Sequence, residues 1–162
     1  MDPTALPSGN LRLATITDVH RLSRIATASL FYSPAFAWER KYYHQYPEDT
    51  IKSYMKLVAD FIQDPESILL VVEDSYQPDE NIKTGATIPP NVNGQNPQPG
   101  ESVIVGFVAW KLPPGSKYVG HFMNTEDFDA ESLSQFDGGP GRDKSASLSE
   151  AVQKLALQEK EK

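Results

Sequence analysis

The sequence predicts a mixed α/β (α+β) fold in the order strand-helix-helix-strand-strand plus a C-terminal helix. Three observations carry that prediction. Apolar residues recur at helical spacing around 19–30 and again around 51–62. Two aliphatic runs, SILLVVE at 67–73 and SVIVGFVAWKL at 102–112, have the length and composition of strands. Between those runs lies a stretch rich in proline, glycine and asparagine, which has neither pattern.

The elements follow in chain order. Residues 1–10 are polar and proline-containing and are expected to be disordered. Leu11 to Ile16 alternates apolar and polar positions, as a half-buried strand does. Thr17 or Asp18 is placed to cap the first helix, since either side chain can accept from the orphan N–H groups of its first turn. Val19, Leu22, Ile25, Ala26, Ser29 and Leu30 then form one stripe and leave Arg21 and Arg24 outward, with His20 on the polar side. Ile51, Tyr54, Met55, Val58, Phe61 and Ile62 form the stripe of the second helix, which Asp64-Pro65 should end because proline disfavours the helical region for the residue before it.

The run from Ser102 to Leu112 is apolar on both faces. Ile104, Val108, Trp110 and Leu112 fall on one and Val103, Val105, Phe107 and Ala109 on the other, so cover is expected on both sides of the sheet, with Trp110 as a core anchor. Residues 75–101 hold five prolines, three glycines and four asparagines; too little apolar surface can be buried to offset ordering, which predicts a disordered insertion. Residues 113–146 read as a flexible linker. Ser147-x-x-Glu150 is a capping box opening an amphipathic helix over 147–162, with Leu148, Ala151, Val152 and Leu155 as its apolar stripe.

Composition narrows the function. The net charge of −7 comes without a Lys/Arg cluster, which argues against nucleic acid and anionic membranes as partners. With no cysteine, thiolate zinc sites, disulfides and Cys nucleophiles are ruled out, and the spacing of His20, His44 and His121 suggests no metal site. The N-terminus has no signal-peptide pattern and no run approaches the roughly 20 residues of a membrane span, so a cytoplasmic location with possible nuclear access is expected.

Taken together, LRLATITDVHRLSRIATASLF, a helix ending at IQDPES, ILLVVED and VIVGFVAWKL resemble the opening of the GCN5-related N-acetyltransferase (GNAT) superfamily. The resemblance covers roughly 11–74 and 102–112, and makes 11–112 a partial N-acetyltransferase-like domain. It implies acetyl-CoA as cofactor, and a small-molecule or protein amine as acceptor. The family's cofactor motif, Gln/Arg-x-x-Gly-x-Gly/Ala opening a helix after a fourth strand, places backbone N–H groups and the helix dipole at the pyrophosphate. Here Gln135-x-x-Gly138 supplies its first part, but Pro140 stands where Gly or Ala belongs, and the preceding 125–135 stretch is too polar for a buried strand. The expectation is therefore an incomplete acyl-CoA N-acyltransferase-like fold, the N-terminal portion only, without the cofactor loop.

In that family the connection between the first two helices forms one side of the acceptor groove. Phe36, Trp38, Glu39, Tyr42 and Tyr43 are its candidate wall here, since rings attract a cationic amine by about 0.5–2 kcal/mol and Glu39 adds a carboxylate. Packing between helices and sheet is the alternative for these rings. His44 is the side chain among them able to titrate near neutrality. Glu73-Asp74, at the end of a strand, offers a carboxylate as a general base for an ammonium, or simply a solvated strand end. No catalytic residue is named by this reading. A second hypothesis stays beside it: a non-catalytic interaction module, with a protein partner covering the free edge of the Ser102–Leu112 strand.

Overall fold

The structure, a computed structural model, describes residues 10–89, 97–123, 135–148, 150, 151 and 154. Its element order is β1 (Leu11–Leu13), a 3-10 turn (Ile16–Asp18), α1 (Val19–Leu30), α2 (Pro34–Glu39), α3 (Pro47–Gln63), β2 (Ser67–Ser75) and β3 (Ser102–Lys111). The three strands form one antiparallel sheet in the order β1-β2-β3. The fold is thus α+β, and among the described residues no strand pairs the outer edge of β3.

Helices α1 and α3 pack side by side on one face of the sheet. Val19 and Leu22 of α1, Val58, Ala59 and Ile62 of α3, Leu69 and Val71 of β2, and Ile104 of β3 make the main core. Both helical stripes therefore face the core as their 3.6-residue spacing predicts, except that Ser29 and Leu30 at the end of α1 are exposed. Helix α3 stops at Gln63, with Asp64 already extended, as the following Pro65 requires. It starts earlier than its apolar stripe, at Pro47, a residue suited to the first helical turn where no N–H donor is needed.

Asp18 sits at the N-cap of α1 but makes no side-chain capping bond to it. Its carboxylate turns back instead, accepting from the Thr15 N–H (2.7 Å) and from Nη1 and Nη2 of Arg12 (2.6 and 3.0 Å). Those hydrogen bonds to Arg12 and Thr15 outweigh burial and hold the Asp18 carboxyl below the ordinary carboxylate range.

Two-sided cover of the sheet is not what the described residues form. The register slips between Val72 and Glu73, so that Val72 faces Gly106 whereas Glu73 faces Ile104. This bulge breaks the alternation read from the sequence. Ile104 joins the helix-side core, and Val105 beside it lines a cavity against α1. On the opposite face, the cross-strand pairs Leu11–Val72, Leu13–Leu70, Leu70–Val108 and Ile68–Trp110 form an apolar surface. Trp110 is 57% exposed there, so it is not the core anchor expected.

Two stretches whose composition predicts freedom are instead tied to the domain where they are described. Residues 76–89 cross the outer side of α1. Arg21 grips Glu80 with two bonds (2.6 and 2.8 Å), the Tyr32 hydroxyl donates to the Lys83 carbonyl (2.6 Å), the Tyr43 hydroxyl donates to Thr87, and Arg24 donates to the Pro89 carbonyl. This strap covers Arg21 and Arg24, which helical spacing alone leaves facing solvent. Residues 135–145 lie along α3: Phe136 enters the main core, and Asp143 is fully buried. Polar side chains do most of this tethering, which apolar periodicity does not register. Residues 146–148, 150, 151 and 154 are helical, while Val152 and Leu155 of the expected stripe lie outside the described residues.

Candidate functional site

The 31–46 connection carries the aromatic wall expected for an acceptor. Phe31, Phe36, Tyr43 and His44 form a cluster of edge-on and tilted rings with centroids 5.1–6.0 Å apart. Phe36 and Tyr43 are buried in it with Ala26 and Tyr54, so these two pack between helices and offer no open face. Burial pushes the Tyr43 hydroxyl up to about 12, against the weaker opposite effect of its bond to Thr87. Trp38 and Tyr42 are 45% and 39% exposed. Glu39 pairs with Lys144 at 3.0 Å. The five residues thus divide into a packed inner pair and an open outer three. His44 is exposed at the rim of the cluster.

Beneath this loop a buried ion pair, and a second whose arginine is exposed, fasten 142–145 to the helices. Arg40 reaches Asp143 and the Ser53 hydroxyl (3.1 Å), with its guanidinium 4.5 Å from the Tyr54 ring centre, and Thr50 donates to the same Asp143 oxygen (2.7 Å). Asp49, buried at the start of α3, accepts from the Arg142 backbone N–H (2.8 Å) and from its guanidinium (2.9 and 2.8 Å). The Arg142 side-chain bonds, more than the opposing burial, hold the Asp49 carboxyl below its ordinary range. These contacts shape the outer half of the wall without leaving a reactive group.

A cavity of about 450 Å³ opens on the other side of α1, where the helix ends beside the C-terminal end of β2. Ile25, Ala28 and Val105 supply apolar lining; Arg21, Arg24, Asp74 and Glu80 supply charge; Ser29 and Tyr32 sit at the α1 end. Four causes place these groups together. The turn of α1 sets Arg21, Arg24, Ala28 and Tyr32 on one flank. The bulge brings Val105 to the helix side. The ladder pairing Asp74 with Val103 puts that residue near the strand end. The strap closes the far wall with Glu80. The volume lies in the range of small-molecule sites, and the mixture of apolar lining with a few polar groups is characteristic of them.

The charges are not equally engaged. Arg21 and Glu80 neutralise each other, and the Arg21 Nε also donates to the Ile104 carbonyl at 2.8 Å. Arg24 has a carbonyl partner, Pro89, and no carboxylate among the described residues. Burial first, then the like charge of Arg21, lowers its affinity for a proton from the usual arginine value. Asp74 accepts from the Ser75 backbone N–H (2.7 Å) and forms no ion pair among the described residues. Glu73, its neighbour, is committed to Arg12 (2.7 Å) and to the Ser102 hydroxyl (3.1 Å). Of the two strand-end acids, Asp74 is the one among the residues that line the cavity. Sequence spacing singled out that pair, but Arg24 and Glu80 were not legible as site residues, because their meeting depends on the path of the strap.

Gln135-x-x-Gly138 does not open a helix. A Cβ at Gly139 would lie 3.0 Å from Lys52 Cδ and one at Gly138 3.5 Å from Lys56 Cδ, so the loop backs onto α3. The Gly139 N–H donates to the Asp137 side chain (2.8 Å). These residues do not fit a pyrophosphate cradle, which needs free N–H groups at a helix start. Among the described residues there is no group of three or more His, Cys, Asp or Glu side chains that could hold a metal, and no helix long and apolar enough to cross a membrane.

No protein-family model matches the chain, and no solved structure gives a significant match. Over 121 residues, 75% of its length, the chain is 30% identical to a protein from Stachybotrys chartarum (strain CBS 109288 / IBT 7711) named Acetyltransferase. The matched region is 43% of that relative, so the chain spans less than half the length of the protein to which it is similar.

Proposed function

We propose that the chain supplies the acceptor side of an acetyl-CoA-dependent N-acetyltransferase of the GNAT kind, with the amine bound in the cavity between α1, the end of β2 and the strap. The observation that carries this reading is the cavity's placement: it joins the end of α1, where the family's acceptor groove begins, to the C-terminal end of β2, with Asp74 among the residues that line it. Similarity to a protein named Acetyltransferase supports the same reaction class. Acetyl-CoA would supply the activated acetyl group. The chain's own part is to hold the acceptor: Ile25, Ala28 and Val105 take its apolar body, and Asp74 takes its ammonium and then a proton as the free amine forms. Trp38, Glu39 and Tyr42, the open members of the aromatic wall, are left for the outer part of a larger acceptor.

Separate calorimetric titrations with isopentylamine and with acetyl-CoA test both halves of this reading. Millimolar heat with the amine and none with acetyl-CoA is the expected pair of results. Micromolar binding of acetyl-CoA would overturn the assignment of the acceptor side alone. Silence with the amine would favour the second reading, a non-catalytic interaction module. That reading draws on the exposed Val72, Val108 and Trp110 beside the free edge of β3.

A further inference from the structure

No residue of the strap over 76–89 belongs to either buried cluster, and Ile82 there is 78% exposed. What holds the strap is polar. Arg21 grips the Glu80 carboxylate, and Tyr32, Tyr43 and Arg24 donate to the carbonyls of Lys83, Thr87 and Pro89. Inside the strap, the N–H groups of Glu80, Ile82 and Thr84 donate to the carbonyls of Gln77, Asp79 and Asn81 (3.0, 3.0 and 3.1 Å), a run of turns that satisfies its own backbone. Moving the strap off α1 therefore breaks the tethers and leaves the turns intact. Arg21 and Glu80 are partly open to water and Tyr32 largely so, and hydration offsets most of what their bonds contribute.

The cavity lies under this segment. Gln77, Glu80, Asn81 and Thr84 of the strap line it together with Ile25 and Ala28 of α1. A segment with few buried apolar contacts opens at a free energy below that of global unfolding. We infer that residues 77–89 form a lid over the cavity, latched by Arg21–Glu80, which lifts from α1 as one unit while the domain stays folded. The start of the lid is fixed. The Tyr76 N–H donates to the Glu101 carbonyl (2.8 Å) and the Tyr76 carbonyl accepts from the Gly100 N–H (3.1 Å), continuing the β2–β3 hairpin. Entry to the cavity is gated in this way whatever ligand fills it, so the lid does not rest on the acceptor reading.

Trypsin reads the lid directly. The Tyr32 hydroxyl holds the Lys83 carbonyl, so the Lys83–Thr84 bond reaches the protease once the lid has lifted. Cleavage of the whole chain is followed by mass spectrometry as a new N-terminus appears at Thr84. In the wild type it is expected to run well below the rate of a free peptide spanning the same bond. Glu80→Gln and Tyr43→Phe should each speed it about fivefold, the effect of one lost hydrogen bond. Tyr43 tethers Thr87 rather than the cleaved bond, so its effect reports motion of the whole segment. Up to about 1.5 M urea the rate, corrected for trypsin's activity on the free peptide, should stay flat, because local opening exposes little surface. A rate that climbs with urea along the slope of global unfolding overturns the lid, since cleavage then waits for the domain to unfold. Wild-type cleavage as fast as the free peptide's overturns the closed state. Cleavage unchanged in Tyr43→Phe overturns motion as one unit, and cleavage unchanged in Glu80→Gln overturns the latch.

Discussion

Asp143→Ala is expected to lower folding stability by about 3–5 kcal/mol, the usual consequence of stripping one partner from a buried ion pair. The Arg40 side chain is 3% exposed and that of Asp143 is fully enclosed, so the substitution leaves a guanidinium in low dielectric with the Ser53 hydroxyl and the Tyr54 and Phe36 rings beside it. Thr50, itself buried, loses its acceptor at the same time. The pair is not ideally satisfied even intact, because Arg40 Nε and Asp143 Oδ1 have no hydrogen-bond partner among the described residues. For that reason the joint replacement Arg40→Met with Asp143→Leu is expected to recover most of the loss, as exchanging a whole buried pair for apolar groups often does. Urea unfolding of the three variants checks both statements. An Asp143→Ala variant within about 0.5 kcal/mol of wild type, the range of an ordinary surface change, would mean that 142–145 is not docked.

Phe136→Ala should cost about 3–5 kcal/mol, as large-to-small changes at buried aromatic positions do. The ring sits in the main core with Val19, Leu22 and Val58, and meets His20 edge-on at 5.9 Å between centroids. The prediction separates two accounts of the 113–146 stretch. In a flexible linker the same change would fall within about 0.5 kcal/mol, because an exposed ring has little to lose. The midpoint of thermal unfolding, read with the urea slope to confirm an unchanged transition, distinguishes them.

The parts of the fold that were legible in the sequence are those written in apolar periodicity. The stripes Val19-Leu22-Ala26 and Tyr54-Val58-Ile62 mark helices that bury those residues, and ILLVV and VIVGFVAW mark neighbouring strands. Three features escaped that reading for physical reasons. A bulge between Val72 and Glu73 depends on how two strands register, and no single strand's alternation encodes it. The strap over 76–89 and the 142–145 loop are held by Arg21–Glu80, Arg142–Asp49 and Arg40–Asp143, pairs separated by 59 to 103 residues. Composition scored both stretches as poor in apolar surface, which they are, and missed that charge-assisted hydrogen bonds tether them.

The candidate site was half legible. An aromatic wall in the 31–46 connection was visible as a run of rings, but which rings face outward depends on α2. That short helix turns Phe36 inward and leaves Trp38 in solvent. The strand-end acids were visible as a pair; that Glu73 is the one taken by Arg12 is a consequence of β1 pairing beside β2. Arg24 carried no signal, since an arginine on the polar side of an amphipathic helix ordinarily faces water.

The central claim, that an amine acceptor occupies the cavity at the end of α1, is tested most directly by amide chemical-shift mapping of the whole chain during titration with isopentylamine. The account predicts shifts concentrated at Arg24, Ile25, Ser29, Tyr32, Asp74 and Val105, saturating together with one affinity. Shifts confined to Trp38 and Tyr42, or absent from Asp74 and Val105 at saturation, would contradict it.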